Sequence, residues 1–212
     1  WQQLATGLTP ELLLLTLRTL GLALGTTLLA GLAALLLAVA KRWSRSRWLR
    51  AVTFLSGMGY AIPGAVLALA LLVVGTPWQL SPILLLLWGY SDRFLAVGKG
   101  GIDAALERLS PSLDEAATGL GLRWPAVLRR IHLPLLRGPI LVGSLLVFVD
   151  TVKELPLTFA LRPFDFDTLA VRVFQYAGDE QLAAAVWPAL MILVLGLIAS
   201  SALVPRLDRD TE

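Results

Sequence analysis

Between Arg18 and Lys41 the chain runs for 22 residues, Thr19 to Ala40, without a single charged side chain. A helix over that stretch is about 33 Å long at 1.5 Å per residue, enough to cross the ~30 Å hydrocarbon core of a bilayer. The apolar character begins as early as Leu12, so Arg18 is read as marking the interface and Thr19 to Ala40 as the span. Only 16% of the residues are charged, against roughly 25% in soluble proteins, so counting domains becomes counting membrane helices.

The same reading gives four further spans, at about Ala51–Val74, Pro82–Val97, Pro139–Phe159 and Leu182–Val204. The expected fold is all-α and integral to the membrane, with about five transmembrane helices forming a single unit over residues 1–212. Gly21 and Gly25 form a GxxxG pair, followed by Gly31, which suits close helix packing. Pro63 and Gly64 fall near the middle of the second span, where a membrane helix can be kinked and still be satisfied by its neighbours. Asp92 and Arg93 lie in the third span and are expected to point into the bundle or toward its cytoplasmic edge. The chain begins at Trp1 without an initiator Met or a signal-peptide pattern, and it is expected to continue a longer N-terminal portion.

Orientation follows from the basic residues. Lys41, Arg42, Arg45, Arg47 and Arg50 cluster after the first span. Arg93, Lys99, Arg108, Arg123, Arg129, Arg130 and Arg137 cluster between the third and fourth spans, and Arg206 and Arg209 follow the fifth. Only Arg18, Lys153, Arg162 and Arg172 lie elsewhere. Five spans put the three rich segments on one side, which the positive-inside rule makes the cytoplasm. The segments 41–50 and 99–138 and the tail are therefore expected to be cytoplasmic. The net charge of +3 reports topology and does not call for nucleic acid as a partner.

The 99–138 segment is too long for a mere connector. Ser110-Pro111 reads as a helix N-cap followed by proline at the first helical position, with Ser112 and Glu115 as an alternative capping box. Leu113, Ala116, Ala117 and Leu120 recur at helical spacing as a narrow apolar face, and Glu115 points away from it. Gly119 and Gly121 can end that helix and reverse the chain. Pro125 can open a second short helix, expected to stop near Leu133 ahead of Pro134. Chemically the product is either an amphipathic hairpin lying at the interface or a docking element.

Glu115-Ala116-Ala117, three residues, Gly121, nine residues and Ile131-His132-Leu133-Pro134 resemble the EAA signature of ABC-importer permeases, with all seven signature positions filled. The resemblance implies a type I importer transmembrane domain whose 99–138 loop docks on a cytoplasmic ATPase. It implies that Asp114, Glu115, Ala116, Ala117 and Gly121 belong to the contact and its turn. Ile131, Leu133 and Pro134 would then seat the loop against the membrane domain. His132 falls on a variable position and reads as an ordinary polar residue.

The resemblance extends through Arg93-Phe94-Leu95-Ala96, Asp150 to Pro156 and Leu161 to Ala170, which are similar to the C-terminal half of ferric iron permeases. Importers of thiamine, polyamines or oxyanions share the architecture. The implied partners are a cytoplasmic ABC ATPase dimer, a second permease half, an external substrate-binding protein and membrane lipid. No cofactor is implied in this chain, because ATP and magnesium would be bound by the ATPase. The implied location is the bacterial inner membrane.

Asp150, Lys153 and Glu154 are expected to share one helix face by i, i+3 and i+4 spacing. With Arg93 and Pro156 they form a candidate translocation pathway, or else an ion pair that fixes packing. The segment from Leu161 to Gln181 is polar enough to leave the bilayer, with Asp167 or Thr168 capping a short helix. Phe164, Phe166, Phe174 and Tyr176 are expected at the outer interface.

Other functions fit the sequence less well. With no Cys and one His, a Cys-based or His-cluster metal site is excluded and catalysis by a nucleophile and base has no evident set of residues. No internal repeat with paired broken helices suggests a secondary transporter. Gly98-Lys99 is followed by Gly100 and has no glycine five positions before it, so the phosphate-binding loop of an ATPase is missing.

Overall fold

The computed structural model describes residues 9–44 and 46–208, with side chains as far as Ala202, and every regular element among them is helical. In chain order these are α1 (Pro10–Trp43), α2 (Arg47–Leu55), α3 (Gly64–Gly75), α4 (Pro82–Arg108), α5 (Pro111–Gly119), α6 (Trp124–Val127), α7 (Leu133–Leu135), α8 (Arg137–Val152), α9 (Pro156–Leu161), α10 (Leu169–Gly178) and α11 (Leu182–Asp208). Arg45 and Arg209 lie outside the described residues, as does the start of the chain.

α1 is one unbroken helix of 34 residues, about 51 Å long. Thr9 caps it by accepting a hydrogen bond from the Leu12 N–H at 3.2 Å, and Pro10 occupies the first position. Its buried residues, among them Leu15, Thr19, Leu22, Ala23, Thr26, Ala30, Ala34 and Ala38, recur at helical spacing as one stripe. Leu13, Leu17, Leu24, Leu28, Leu32 and Leu36 face outward, where lipid would cover them. Ala23, Ala30 and Ala34 are fully buried and let neighbouring backbones approach. Of the anticipated GxxxG pair only Gly25 sits in a close contact, a Cβ there meeting Leu87 Cδ2 of α4 at 3.2 Å, whereas a Cβ on Gly21 would meet nothing within 4 Å.

α1, α4 and α8 form the centre of the bundle. A Cβ on Gly143 of α8 would lie 2.8 Å from the Gly98 carbonyl oxygen of α4, so glycine is required for this approach. Beside it, Ala34, Ala38, Leu95, Ile102, Leu106 and Leu136 form one apolar cluster. A second, made by Leu22, Leu71, Leu86, Tyr90, Phe94, Val147 and Leu157 among others, joins the bundle to α3 and α9.

Two of the five anticipated spans are broken and a third is longer than expected. The second is broken rather than kinked: a short 3₁₀ turn at Gly59–Ala61 follows α2, Ile62 is extended with ψ 129°, and α3 starts after Pro63. Proline disfavours the α conformation in the residue before it, as at the extended Ile62, and supplies no N–H. The fourth span stops at Val152 and resumes at Pro156; here Leu155 stays in the α region, and it is the missing proline N–H that suits the start of a new helix. The third runs well past Val97 to Arg108, so the first part of the anticipated 99–138 loop is helix continuing out of the span. Among the described residues two helical stretches are each long and apolar enough to cross a membrane unaided, Pro10–Trp43 and Leu182–Ala202.

The contacts define two ends of the bundle. At one, Lys41 Nζ lies 3.4 Å from Glu107 Oε1, and the 111–135 hairpin packs beside them. At the other, Arg18 Nη1 donates to the Asp165 carbonyl at 2.7 Å and stacks 5.1 Å from the Phe166 ring centre. There Asp167 bridges Arg162 and Arg172, Arg172 reaches Glu11 at 2.7 Å, and the Leu169 N–H donates to Thr19 Oγ1 at 3.0 Å. Thr168 caps α10, one of the two anticipated alternatives. Phe164 is almost wholly exposed, whereas Phe166 is drawn in under Arg18.

Candidate functional site

The hairpin is built by local signals. Ser110 caps α5, its hydroxyl accepting from the Ser112 N–H at 3.3 Å, with Pro111 first in the helix. The Leu122 N–H bonds the Ala117 carbonyl at 3.1 Å and the Gly121 N–H the Thr118 carbonyl at 2.9 Å. These are the two bonds of a Schellman motif, which needs a left-handed residue at its turn. Gly121 supplies it with φ +82°.

Past the turn, α6 begins at Trp124, passes through a π-helical turn at Leu128–His132 and continues as α7. Contrary to the expectation from sequence, Pro134 does not stop this helix. The π turn pairs the Leu133 N–H with the Leu128 carbonyl. Its wider spacing shifts the bonding so that the missing proline N–H is accommodated. The axis then bends by 71° into α8.

Burial redistributes the anticipated docking residues. Ala117 is buried against the chain itself, whereas Glu115, Ala116 and Gly121 are exposed. Leu113 and Leu120 are exposed too, Leu120 at 84%, and so is Trp124 across the turn. The seat is formed chiefly by Val127, His132 and Leu136, all fully buried, whereas Ile131 and Leu133 are half-buried and Pro134 is exposed.

Asp114 is held from two sides. Arg42 Nε in the last turn of α1 donates to its Oδ2 at 2.6 Å, and His132 Nε2 lies 2.8 Å from its Oδ1. Burial pushes the carboxyl pKa up, but the hydrogen bonds from Arg42 and His132, and their charge, outweigh it and hold Asp114 below the usual carboxylate range. Arg42 and His132 were not singled out as site residues from sequence. Arg42 was one of many basic residues in a cytoplasmic segment, and nothing local marks its partner 72 positions away. Trp43 stands edge-on to the imidazole, ring centres 6.2 Å apart.

A second cluster lies where the two broken spans meet α4. Arg93 Nη1 donates to the Ile62 carbonyl at 2.5 Å, and Arg93 Nε lies 3.7 Å from Glu154 Oε2. The carbonyl freed at one break and the carboxylate at the other are therefore bound by one guanidinium. A Cβ on Gly64 would come within 2.9 Å of Glu154 Oε1. Glu154 Oε1 also accepts from the Leu157 N–H at 3.4 Å, Thr158 Oγ1 donates to the Glu154 carbonyl at 2.7 Å, and Tyr90 bonds Thr158.

This geometry corrects the anticipated face of Asp150, Lys153 and Glu154. The helix ends at Val152, so the three do not continue one face. Lys153 pairs with Asp150 at 2.9 Å, its side chain 62% exposed, while Glu154 turns inward to Arg93. Pro156 opens α9, as its lack of an N–H favours.

Residues 30–212 match the family described as Binding-protein-dependent transport system inner membrane component. The chain is 28% identical over 138 residues to an Fe(3+)-transport system permease protein, FbpB 2, of Haemophilus influenzae. That match takes in 64% of this chain and only 27% of the relative's length. Among solved structures, a bacterial ABC transporter involved in the import of the acidic polysaccharide alginate superposes with a TM-score of 0.79 at 16% identity, over 100% of this chain and 84% of that one. An amino acid ABC transporter superposes with a TM-score of 0.72 at 18% identity, over 94% of each chain. At such identities the superpositions speak for the fold.

Proposed function

Because the chain belongs to the family of binding-protein-dependent transport system inner membrane components, we propose that it is a permease subunit of an ATP-driven importer, moved by an ATPase that docks on α5. The family is a transporter component, so the chain itself is not an enzyme. The observation that carries the docking role is the exposed face of Leu113, Ala116 and Leu120 beside the Schellman turn at Gly121. An exposed apolar face on a short, well-capped helix suits a partner cleft, and small Ala116 allows close approach. The hairpin end of the bundle is then the cytoplasmic end, where the basic segments also gather. A second permease half and an external binding protein complete the assembly.

Ferric iron is the cargo this reading favours, supported by the relative named as an Fe(3+) permease and by the Leu161 to Ala170 segment. Arg93, Asp150, Lys153, Glu154 and Pro156 would border the path, where two broken helices expose carbonyls and charge within the bundle. A channel must release what it admits, so weak polar groups suffice and high affinity can reside in the binding protein. ATP-driven closure of the ATPase would shift the bundle between inward- and outward-open states.

The test is uptake into vesicles carrying the reconstituted transporter, offered ferric iron, thiamine or a polyamine with the binding protein. ATP-dependent accumulation of ferric iron alone is expected. Accumulation of another cargo in its place would overturn the iron assignment, and ATP-independent exchange of any cargo would overturn the ATP-driven mechanism.

A further inference from the structure

The chain between α4 and α5 is a two-residue joint, Leu109 and Ser110, both extended with ψ of 121° and 136°. The Leu109 N–H bonds back to the Leu106 carbonyl in α4 and the Ser110 carbonyl accepts from the Leu113 N–H in α5, so each residue is tied to its own helix and the chain can bend between them unless something braces it. The brace is Arg42. Its guanidinium donates on one side of the joint to the carbonyls of Leu106 at 2.5 Å and Leu109 at 3.1 Å. On the other side it donates to the Ser110 carbonyl at 3.4 Å and to Asp114 Oδ2 at 2.6 Å. Only the planar five-donor fork of arginine matches such a set; a lysine ammonium has three donors at one point. The Arg42 side chain is largely buried, and the second oxygen of Asp114 is occupied by the fully buried His132 next to α7.

We propose that Arg42 is a positioning residue of the transport cycle. It locks the end of α1, the end of α4 and the start of α5 into one rigid block, so that displacement of the docked hairpin enters the bundle through α1. This rests on the importer reading above and adds a route to it. α1 spans the whole bundle, and its far end is fastened to the 165–172 segment by Glu11, Arg18 and Thr19. A push on α5 is thereby delivered to the opposite face along one stiff helix, as well as through the bend into α8.

The 212-residue sequence has no cysteine, so thiols introduced into it can be bridged selectively in a transporter whose remaining cysteines have been replaced. In the first variant, Lys41→Cys with Glu107→Cys, a short bis-maleimide ties α1 to α4 where the native side chains already meet. A rigid block tolerates this bridge, and ATP-driven uptake should stay within about twofold of the unbridged protein. In the second, Arg42→Cys with Asp114→Cys, uptake per ATP hydrolysed should fall by about tenfold, the scale of a coupling free energy, while hydrolysis persists. Bridging the two thiols should restore most of the lost ratio.

Blocked uptake on bridging 41 to 107 would overturn the proposal, because the ends of α1 and α4 would then have to move apart. An unchanged uptake-to-hydrolysis ratio in the unbridged Arg42→Cys, Asp114→Cys protein would overturn it as well. Should that variant fail to assemble, the bridge between 41 and 107 decides alone. Failure of the importer reading shows separately, as absence of ATP-dependent uptake in the unsubstituted transporter.

Discussion

His132 Nε2 lies 2.8 Å from Asp114 Oδ1, and the imidazole that reaches it is fully buried. This contact clips the second arm of the hairpin to the first turn of α5, eighteen residues earlier. The same carboxylate takes the Arg42 guanidinium on its other oxygen. The position of the hairpin thus depends on one charged group that is ionised and fully partnered.

Asp114→Asn therefore yields a pH-dependent loss of stability. The lowered pKa of Asp114 in the folded protein means that its contribution is fully present above the unfolded carboxylate value of about 3.9. The contribution is lost as pH falls through the lowered folded value. Thermal unfolding of the detergent-solubilised protein should show the variant less stable than the parent near neutrality, with the gap closing only below about pH 4. A gap that is constant across that range would show that the carboxylate is not the anchor.

At Gly121 the expected penalty comes from the backbone alone. φ is +82° and a Cβ there would meet nothing within 4 Å, so Asn should be tolerated best, Ala should cost on the order of 1–2 kcal/mol and Val more. ATP-dependent uptake should decline in the order Gly, Asn, Ala, Val. Normal uptake in Gly121→Val would remove the turn from the coupling path.

The hairpin was the most legible part of the sequence because its signals are local. Ser110-Pro111 and Gly121 each act within a few residues, and the structure carries out their instructions. What escaped were contacts set by the tertiary fold. Ala116 and Ala117 look alike in sequence, but packing buries one and exposes the other. Pro63 and Pro156 announced irregular helices, yet whether each kinks or breaks depends on whether something receives the freed carbonyls. Arg93 does so for Ile62. Helical periodicity puts Glu154 on a face with Lys153, but the helix ends at Val152, two residues before Glu154 and seven before the Phe159 that the apolar pattern suggests.

Arg93 and Glu154 should behave as a pair. Their side chains are 17% and 10% exposed, so Arg93→Gln alone strands a buried carboxylate and frees the Ile62 carbonyl, a loss of about 3 kcal/mol. Arg93→Gln with Glu154→Gln should lose clearly less than the sum of the single changes, by 1 kcal/mol or more in a thermal double-mutant cycle, an interaction energy of ordinary size for contacting residues. Strict additivity would mean the two do not interact. Lys153→Gln, mostly exposed, should leave stability nearly unchanged and alter uptake.

Gly143→Ala tests the three-helix junction. The added Cβ would meet the Gly98 backbone oxygen at 2.8 Å, and backbone cannot rotate aside, so overpacking should destabilise by roughly 1–3 kcal/mol. Gly21→Ala, which meets open space, should be neutral in the same melting assay. Equal effects would contradict the alanine seam and the glycine contact alike.

The account turns on α5 meeting the ATPase through its exposed face, and photo-crosslinking reads that contact directly. A benzophenone maleimide placed on Leu120→Cys or Ala116→Cys, in a transporter made free of other thiols, should form a covalent adduct with the ATPase subunit of the assembled transporter, with a yield that changes on adding ATP. The same probe on Phe164→Cys, at the opposite end of the bundle, should form none. An ATPase adduct from position 164, or none from 116 and 120 in a complex that still transports, would contradict it.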